Sequence, residues 1–289
     1  MQKQTKLMDL FYIPAFVLFS VFVVFPFIKG IYLSLTNWNG YSENMDFIGL
    51  SNYVRMFSDA NVLRAFRNTL IYGAGSTLLQ NVFGILLAVF LNSKFRCRSL
   101  LRTAIYLPVM IAPLIMGYIM YFFFAFDGGA INDILIWLGS KPIDWLSDGN
   151  RGVWILTLIN SFQFVGISMV IYLAGLQNIP KIYYDAAEID GSSGVQKFFR
   201  ITLPLLTPSV TSAVTINLIG GLKLFDVVSA LTSGGPGYDT HSLSTLIHRF
   251  YFGGERAGYA SAVGIIFFIF IMIVSNLVVK QLQKRQVEE

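Results

Sequence analysis

The chain has 289 residues, of which 55% are hydrophobic, 15% aromatic and only 13% charged, and its net charge is +5. Soluble domains carry about 25% charged residues, so an ordinary soluble enzyme is excluded. The basic residues sit at the ends of apolar runs, where they set orientation in a bilayer, and that placement excludes a nucleic-acid-binding surface. Six apolar runs reach the length of about 20 residues that a bilayer requires. They cover about 10–35, 65–91, 103–126, 153–176, 205–231 and 259–279. The runs are continuous rather than alternating, which favours helices over a membrane barrel. The expected fold class is all-α and polytopic: six transmembrane helices in a single domain, 1–289, without repeats or linkers.

The first run follows Lys3 and Lys6, as the core of a secretory signal would. It is longer than the usual 7–15-residue signal core and no small-x-small site closes it, so it reads as an uncleaved span. Lys29 lies near its far end and is expected to snorkel. Pro14 and Pro26 in the first run, Pro108 and Pro113 in the third, and Gly220-Gly221 in the fifth are tolerated better in membrane helices than in soluble ones.

With the N-terminus inside, the inner segments hold Lys3, Lys6, Lys94, Arg96, Arg98, Arg102, Lys181, Lys197, Arg200, Lys280, Lys284 and Arg285. The outer segments hold fewer: Arg55, Arg64, Arg67, Lys141, Arg151, Arg249 and Arg256. This bias places both termini and the 180–204 loop in the cytoplasm. Trp38, Trp137, Trp145 and Trp154 fall at or beyond the outer span ends, as an interfacial belt predicts. The single cysteine, Cys97, excludes an intrachain disulfide and reads as a free thiol without a role.

No G-x-x-x-x-G-K-[ST] segment is present and no Gly-Lys pair occurs, so the chain cannot by itself be a P-loop ATPase. His241 and His248, seven apart, have no cysteine partner and no H-E-x-x-H; they read as solvated or interfacial, and no metal site is expected. The spans carry almost no acid or base, which argues against a membrane enzyme. The exceptions are Lys223 and Asp226 in the fifth run, spaced i, i+3 on one helix face. Each costs roughly 2.5–3.5 kcal/mol at a helix centre, and pairing offsets part of that. They read either as a structural pair or as a lining for a polar solute's path. Asn160, Gln163, Ser168 and Asn217 suit sugar hydroxyls and interhelical hydrogen bonds alike. Tyr118, Tyr121, Phe122, Phe123 and Phe124 can stack on sugar rings, although packing and lipid contact account for most aromatics in so Phe-rich a chain.

The polar island 180–204 has more internal order than a connecting loop needs. Pro180 is pre-set for a first helical position, and Ile182 to Asp190 reads as a short helix with Ala186 and Ala187 as its close-packing surface. Gly191 permits a sharp turn. Val195 to Arg200 reads as a second short helix on the membrane surface with Phe198 and Phe199 inward, and Pro204 opens the fifth span. Two short helices set at an angle form a knob able to pass a push from a cytosolic partner into both adjoining spans.

This loop resembles the EAA-x3-G-x9-I-x-LP motif of ATP-binding-cassette importer permeases, with Asp185-Ala186-Ala187, Gly191, Ile201, Leu203 and Pro204 at matching spacing. Asp stands for Glu at the first position, which keeps the charge and shortens the reach. The resemblance extends over essentially the whole chain. Asn68-Thr69-Leu70 resembles the opening of the family's core, and Arg102-Thr103 through Leu107-Pro108 and Pro113 its third-span region. Trp38-Asn39-Gly40, the 47–53 segment, Phe225-Asp226 and Leu231-Thr232-x-Gly234-Gly235-Pro236 resemble the maltose, glycerol-3-phosphate and multiple-sugar branch.

The resemblance implies a coupling helix, with Tyr184, Asp185, Ala186, Ala187, Glu188, Asp190, Gly191, Ile201, Leu203 and Pro204 engaging an ATPase. It implies a bacterial plasma-membrane (inner-membrane) importer subunit with several partners: a second, homologous permease in a heterodimer, two ATP-binding subunits that carry ATP and Mg, and an extracytoplasmic solute-binding protein. The cargo is expected to be an oligosaccharide of multiple-sugar or raffinose type. Asn160, Gln163, Asn217, Lys223 and Asp226 are the candidate solute path. The alternatives are a glycerol-3-phosphate-type or other polar-solute importer, an ion-coupled secondary transporter, for which Asp226 is the only acid well inside a span, and a non-transporting scaffold or sensor.

Overall fold

A computed structural model describes residues 12–93 and 95–284, so Lys3, Lys6, Lys94, Arg285 and the start of the first expected span lie outside the described residues. Among the described residues the chain is helical, with one isolated bridge between Thr36 and Phe47. The long helices are α1 (Tyr12–Ser34), α3 (Ala60–Asn92), α7 (Gly149–Asn178) and α13 (Ala257–Gln283), with short α2 (Ser51–Ser58) between the first two. α4 (Arg98–Met110) and α5 (Pro113–Phe124) follow α3, then short α6 (Ala130–Trp137). After α7 come α8 (Lys181–Ile189), α9 (Gly194–Lys197), α10 (Thr207–Leu222), α11 (Asp226–Leu231) and α12 (Leu243–His248).

Five helical stretches are long and apolar enough to cross a membrane: α1, α3, α7, α10 with α11, and α13. The expected third span is instead broken: α4 and α5 meet at 100°. Proline explains the break. Ala112 precedes Pro113 and is pushed to an extended conformation (φ −56°, ψ 133°), and Ile111 is extended as well. The expected fifth span is likewise interrupted, at residues 223–225, between α10 and α11. The other spans run two to five residues beyond their expected limits at several ends, because apolar composition does not register the capped turns of a helix. Asp148, for example, caps α7 by accepting from the Arg151 N–H at 2.7 Å.

The chain forms two compact units. In the first, residues 1–62 and 247–269, the segment after α1 is tied down by α2: Asn52 Nδ2 donates to the Ser34 and Thr36 carbonyls at 2.9 and 2.8 Å. The Tyr259 hydroxyl donates to Asp59 at 2.9 Å beneath the Arg55 guanidinium. Along α1, none of the residues of Tyr12–Phe19 and Ser20–Val24 is buried, as expected of a span that faces lipid or another subunit.

The second unit, residues 63–246 and 270–289, holds the helices that position the site. Its helices approach closely through small residues, the usual packing device where lipid removes the hydrophobic drive between helices. A Cβ on Gly84 of α3 would lie 2.4 Å from the Ser168 Cβ of α7. One on Gly221 of α10 would meet Ser76 at 2.6 Å and the Tyr72 carbonyl at 2.8 Å. Tyr72, Leu156, Val227 and Val228 form the centre of one buried cluster, and Ala88, Tyr172, Leu206 and Ala213 the centre of another. Gly84→Val therefore overpacks the α3–α7 contact and is expected to lower stability by about 1–3 kcal/mol. Gly220→Ala, where nothing lies within 4 Å of the new Cβ, is expected to leave it unchanged or slightly raised; thermal unfolding of both variants in detergent is the check.

Candidate functional site

The 180–204 segment folds as the knob that its residue order suggests. Pro180 is the residue before the helix rather than the first within it (ψ 136°), and α8 starts at Lys181. α8 ends in a Schellman motif: the Gly191 N–H reaches the Glu188 carbonyl at 3.1 Å and the Ser192 N–H the Ala187 carbonyl at 2.9 Å. Gly191 sits at φ +69°, with open space where a Cβ would go. Backbone conformation, not crowding, is what requires glycine there. Ser193 then opens α9 with a capping box closed by Gln196. The chain continues through the wide turn Phe198–Thr202 and the short Leu203–Leu205 into α10. Phe199 is exposed and Phe198 half-buried, with their ring centroids 5.1 Å apart.

One side chain fastens the knob to the spans, and two polar contacts brace the knob itself. The Tyr184 ring packs against the cluster containing Tyr172, Leu176, Ile179 and Leu206, while its hydroxyl meets Thr202 Oγ1 at 3.0 Å. Glu188 pairs with Lys197 at 3.3 Å across the angle between α8 and α9; with Glu188 largely solvated the pair contributes little, about 0–1 kcal/mol. Ala187 is buried, whereas Asp185, Ala186 and Asp190 are exposed together with Ile182 and Ile189. The knob thus presents apolar and acidic side chains outward from a rigid base. Ile201, Leu203 and Pro204 are half-buried where the chain re-enters the spans.

A second feature is a cavity of about 240 Å³ among α3, α5, α7 and the α10–α11 break. Its lining brings together Asn160, Asn217, Lys223 and Asp226, four of the five residues singled out for a solute path. Gln80, Phe164 and Phe225 line it as well. Lys223 and Asp226 do not pair: the helix breaks between them, so their spacing no longer places them on one face, and the ion pairs among the described residues are Arg64–Asp239 and Lys197–Glu188. Lys223 is exposed and Asp226 half-buried. Amides that offer donors and acceptors, two aromatic rings and one charge of each sign suit a polar, hydroxyl-rich solute with apolar faces.

Gln163 belongs elsewhere. It is fully buried, and its Nε2 donates to the Ile111 carbonyl at 3.0 Å. That carbonyl is freed by the proline break, so Gln163 satisfies backbone that lipid could not. Gln80 is the residue that the sequence reading missed: its Nε2 donates to the Asn160 carbonyl at 3.0 Å, while its Oε1 is buried without a partner. Nothing distinguishes Gln80 in the sequence from its neighbour Asn81, the other amide at this point of the apolar run. Asn217 Nδ2 donates to Ser168 Oγ at 2.6 Å, so it serves the α7–α10 contact as well as the cavity wall.

The 232–245 segment also departs from expectation. His241 is buried, 3% exposed, with Nδ1 2.9 Å from Thr245 Oγ1, while His248 is exposed. α3 organises this segment: Asn68 Nδ2 donates to the Asp239 and His241 carbonyls, Tyr72 to the Thr240 carbonyl, and Thr69 accepts from the Leu243 N–H. Ser242 Oγ donates to the Leu224 carbonyl at 2.6 Å, satisfying backbone at the α10–α11 break. In the Gly-Gly-Pro turn Gly234 is buried while Pro236 is exposed. Among the described residues no cluster of His, Cys, Asp and Glu suited to a metal ion is present.

A polytopic helical chain with a broken span, a cavity carrying a few polar groups at helix breaks and a capped knob between two spans fits the class of transport permease subunits. Residues 80–288 match the family described as binding-protein-dependent transport system inner membrane component, and the chain belongs to that family. It is 36% identical over 281 residues, covering 96% of this chain and 94% of the other, to the probable starch degradation products transport system permease protein AmyD of Thermoanaerobacterium thermosulfurigenes. It is 33% identical, over 96% of this chain and 95% of the other, to the multiple sugar-binding transport system permease protein MsmF of Streptococcus mutans. A crystal structure of a bacterial ABC transporter that imports the acidic polysaccharide alginate contains a chain with a TM-score of 0.85 and 26% identity, covering 98% of this chain and 96% of that one. A bacterial alginate ABC transporter in complex with an alginate pentasaccharide-bound periplasmic protein contains a chain with a TM-score of 0.83 and 26% identity, covering 96% and 93%.

The left-handed backbone at Gly191 yields a graded expectation. A β-carbon there costs about 1–2 kcal/mol, and Asn tolerates the conformation best among other residues. Gly191→Val is expected to loosen the α8 end, seen as faster hydrogen exchange at residues 188–192, whereas Gly191→Asn keeps most of the protection; equal exchange in both variants would contradict the capping role.

Proposed function

We infer that this chain is a permease subunit of an ATP-driven, binding-protein-dependent carbohydrate importer, with an oligosaccharide as its cargo. The observation that carries the reading is the knob: Asp185-Ala186-Ala187 and Gly191 on an exposed, capped elbow, fastened through Tyr184 to the spans that wall the cavity. Relatives whose names refer to starch degradation products, multiple sugars and alginate support carbohydrate as the cargo class.

In this reading α8 docks into a groove on one of two separate ATP-binding subunits, which hold the Mg-ATP. Nucleotide binding supplies the closure that moves the groove. The chain's own work is mechanical: the exposed face of α8 is gripped, and Tyr184 and Thr202 pass the displacement to α7 and α10, between which the cavity opens and closes. The knob and both termini face the cytoplasm, while an extracytoplasmic binding protein delivers solute to the opposite face. A pocket for a small molecule holds roughly 300–1,000 Å³, so a cavity of about 240 Å³ fits half of a pathway completed by a second, homologous permease. Asn160, Asn217 and Gln80 offer hydrogen bonds to hydroxyls, and Phe164 and Phe225 offer stacking faces.

Transport into energised vesicles containing the assembled subunits tests the reading. Uptake is expected to follow ATP and to persist when an uncoupler collapses the proton gradient; loss of uptake with the gradient would favour an ion-coupled carrier. Asp185→Lys is expected to abolish uptake with insertion and assembly of the membrane subunits intact, and Asp185→Glu to retain it. Normal transport by Asp185→Lys at normal expression would count against docking through α8.

A further inference from the structure

We propose that α6 is an interfacial helix, lying in the headgroup region of the bilayer with Ile134, Trp137 and Leu138 inserted among the lipids. These three residues are spaced i, i+3, i+4 and so share one helix face. They are 57%, 84% and 64% exposed, respectively. No described residue covers that face, and leaving three large apolar side chains in water forgoes about 1.5–3 kcal/mol each.

The opposite face is fixed. Asn132, 1% exposed, donates through Nδ2 to the Ala125, Phe126 and Ile143 carbonyls, and its Oδ1 accepts from the Ile143 N–H at 3.1 Å and Trp145 Nε1 at 3.0 Å. One amide therefore locks α6 to both arms of the connection that joins α5 to α7. A Schellman motif with Gly139 at φ +80° stops the helix immediately beyond Leu138. The orientation of the apolar face is thus set by the fold and not by a mobile loop.

Lipid is the occupant that the surroundings select. The Trp145 ring packs edge-on against Phe124, the last residue of α5, with centroids 6.3 Å apart. The connection therefore sits directly on the end of a membrane segment, at the depth of the headgroups. Trp154, in the second turn of α7, is 55% exposed, and Tyr121 and Phe122 near the end of α5 are exposed as well. With Trp137 84% exposed, the free face of α6 adds another aromatic side chain to those exposed near this connection. Tryptophan is the residue most at home there, with an apolar ring and a polar N–H, and the flanking Asp133 and Lys141 are exposed, as the polar margin of an amphipathic interfacial helix requires. A helix of this kind braces the α5–α7 connection against the membrane plane.

Spin-label accessibility in the assembled transporter, reconstituted in phosphatidylethanolamine–phosphatidylglycerol vesicles, tests the proposal. In a Cys97→Ser background, Ile134→Cys and Leu138→Cys are labelled separately, with Lys141→Cys as the solvated control. Lipid insertion predicts that labels at 134 and 138 collide more often with oxygen than with a polar nickel chelate, and that the label at 141 shows the reverse. Chelate-dominated collisions at 134 and 138 would place the face in water and overturn the proposal. Low collision rates with both reagents would place it against another protein chain and overturn it equally. Sugar transport by the labelled variants is scored separately, so failure of the lipid contact and failure of the importer reading are distinguishable.

Discussion

Tyr184 packs its ring into the cluster made by the ends of α3, α7 and α10 and bonds Thr202 with its hydroxyl. Through this side chain α8 is joined to the membrane helices by more than the covalent chain. The Schellman end of α8 and the capping box of α9 fix the two arms of the knob, leaving little slack between Asp185 and the spans. Proteins transmit displacement where a packed element has discrete arrangements and rigid connections. A loosely tethered loop would absorb a push; in the proposed function this one would convey it to α7 and α10, the helices that carry Asn160 and Asn217.

The cavity follows from a second constraint. Backbone inside a bilayer must be satisfied by the protein itself, so non-helical segments survive only where side chains meet their open carbonyls. Gln163 does so for Ile111 at the α4–α5 break and Ser242 for Leu224 at the α10–α11 break. Pro113 and Leu224, beside these breaks, both line the cavity. Polar groups at membrane depth are thus divided between holding broken helices in place and facing the enclosed space. The 232–245 segment belongs to the same arrangement, since α3 uses Asn68, Thr69 and Tyr72 to hold it.

The class of fold was legible because bilayer thickness imposes a length on every apolar run. The knob was legible because Gly191 and the Asp185-Ala186-Ala187 step are local signals whose meaning does not depend on distant residues. The helix breaks were less so. Pro113 marks one of them, yet hydropathy averages across it, and Gly220-Gly221 precedes the other but is of a kind that membrane helices tolerate. The i, i+3 reading of Lys223 and Asp226 failed for this reason: a spacing rule holds only while the helix continues. Gln80 and Gln163 show a further limit, since one amide looks like another until its partner, 80 or 52 residues away, is placed. His241 read as exposed because its neighbours in sequence are polar; its burial is set by α3.

The central claim is that the knob is gripped by an ATP-binding subunit. Photocrosslinking from position 189, where Ile189 is 88% exposed at the end of α8, tests this most directly in the assembled transporter. The account predicts a single major adduct with the ATP-binding subunit. Absence of that adduct, with position 189 instead joined to the extracytoplasmic binding protein or to no subunit, would contradict it.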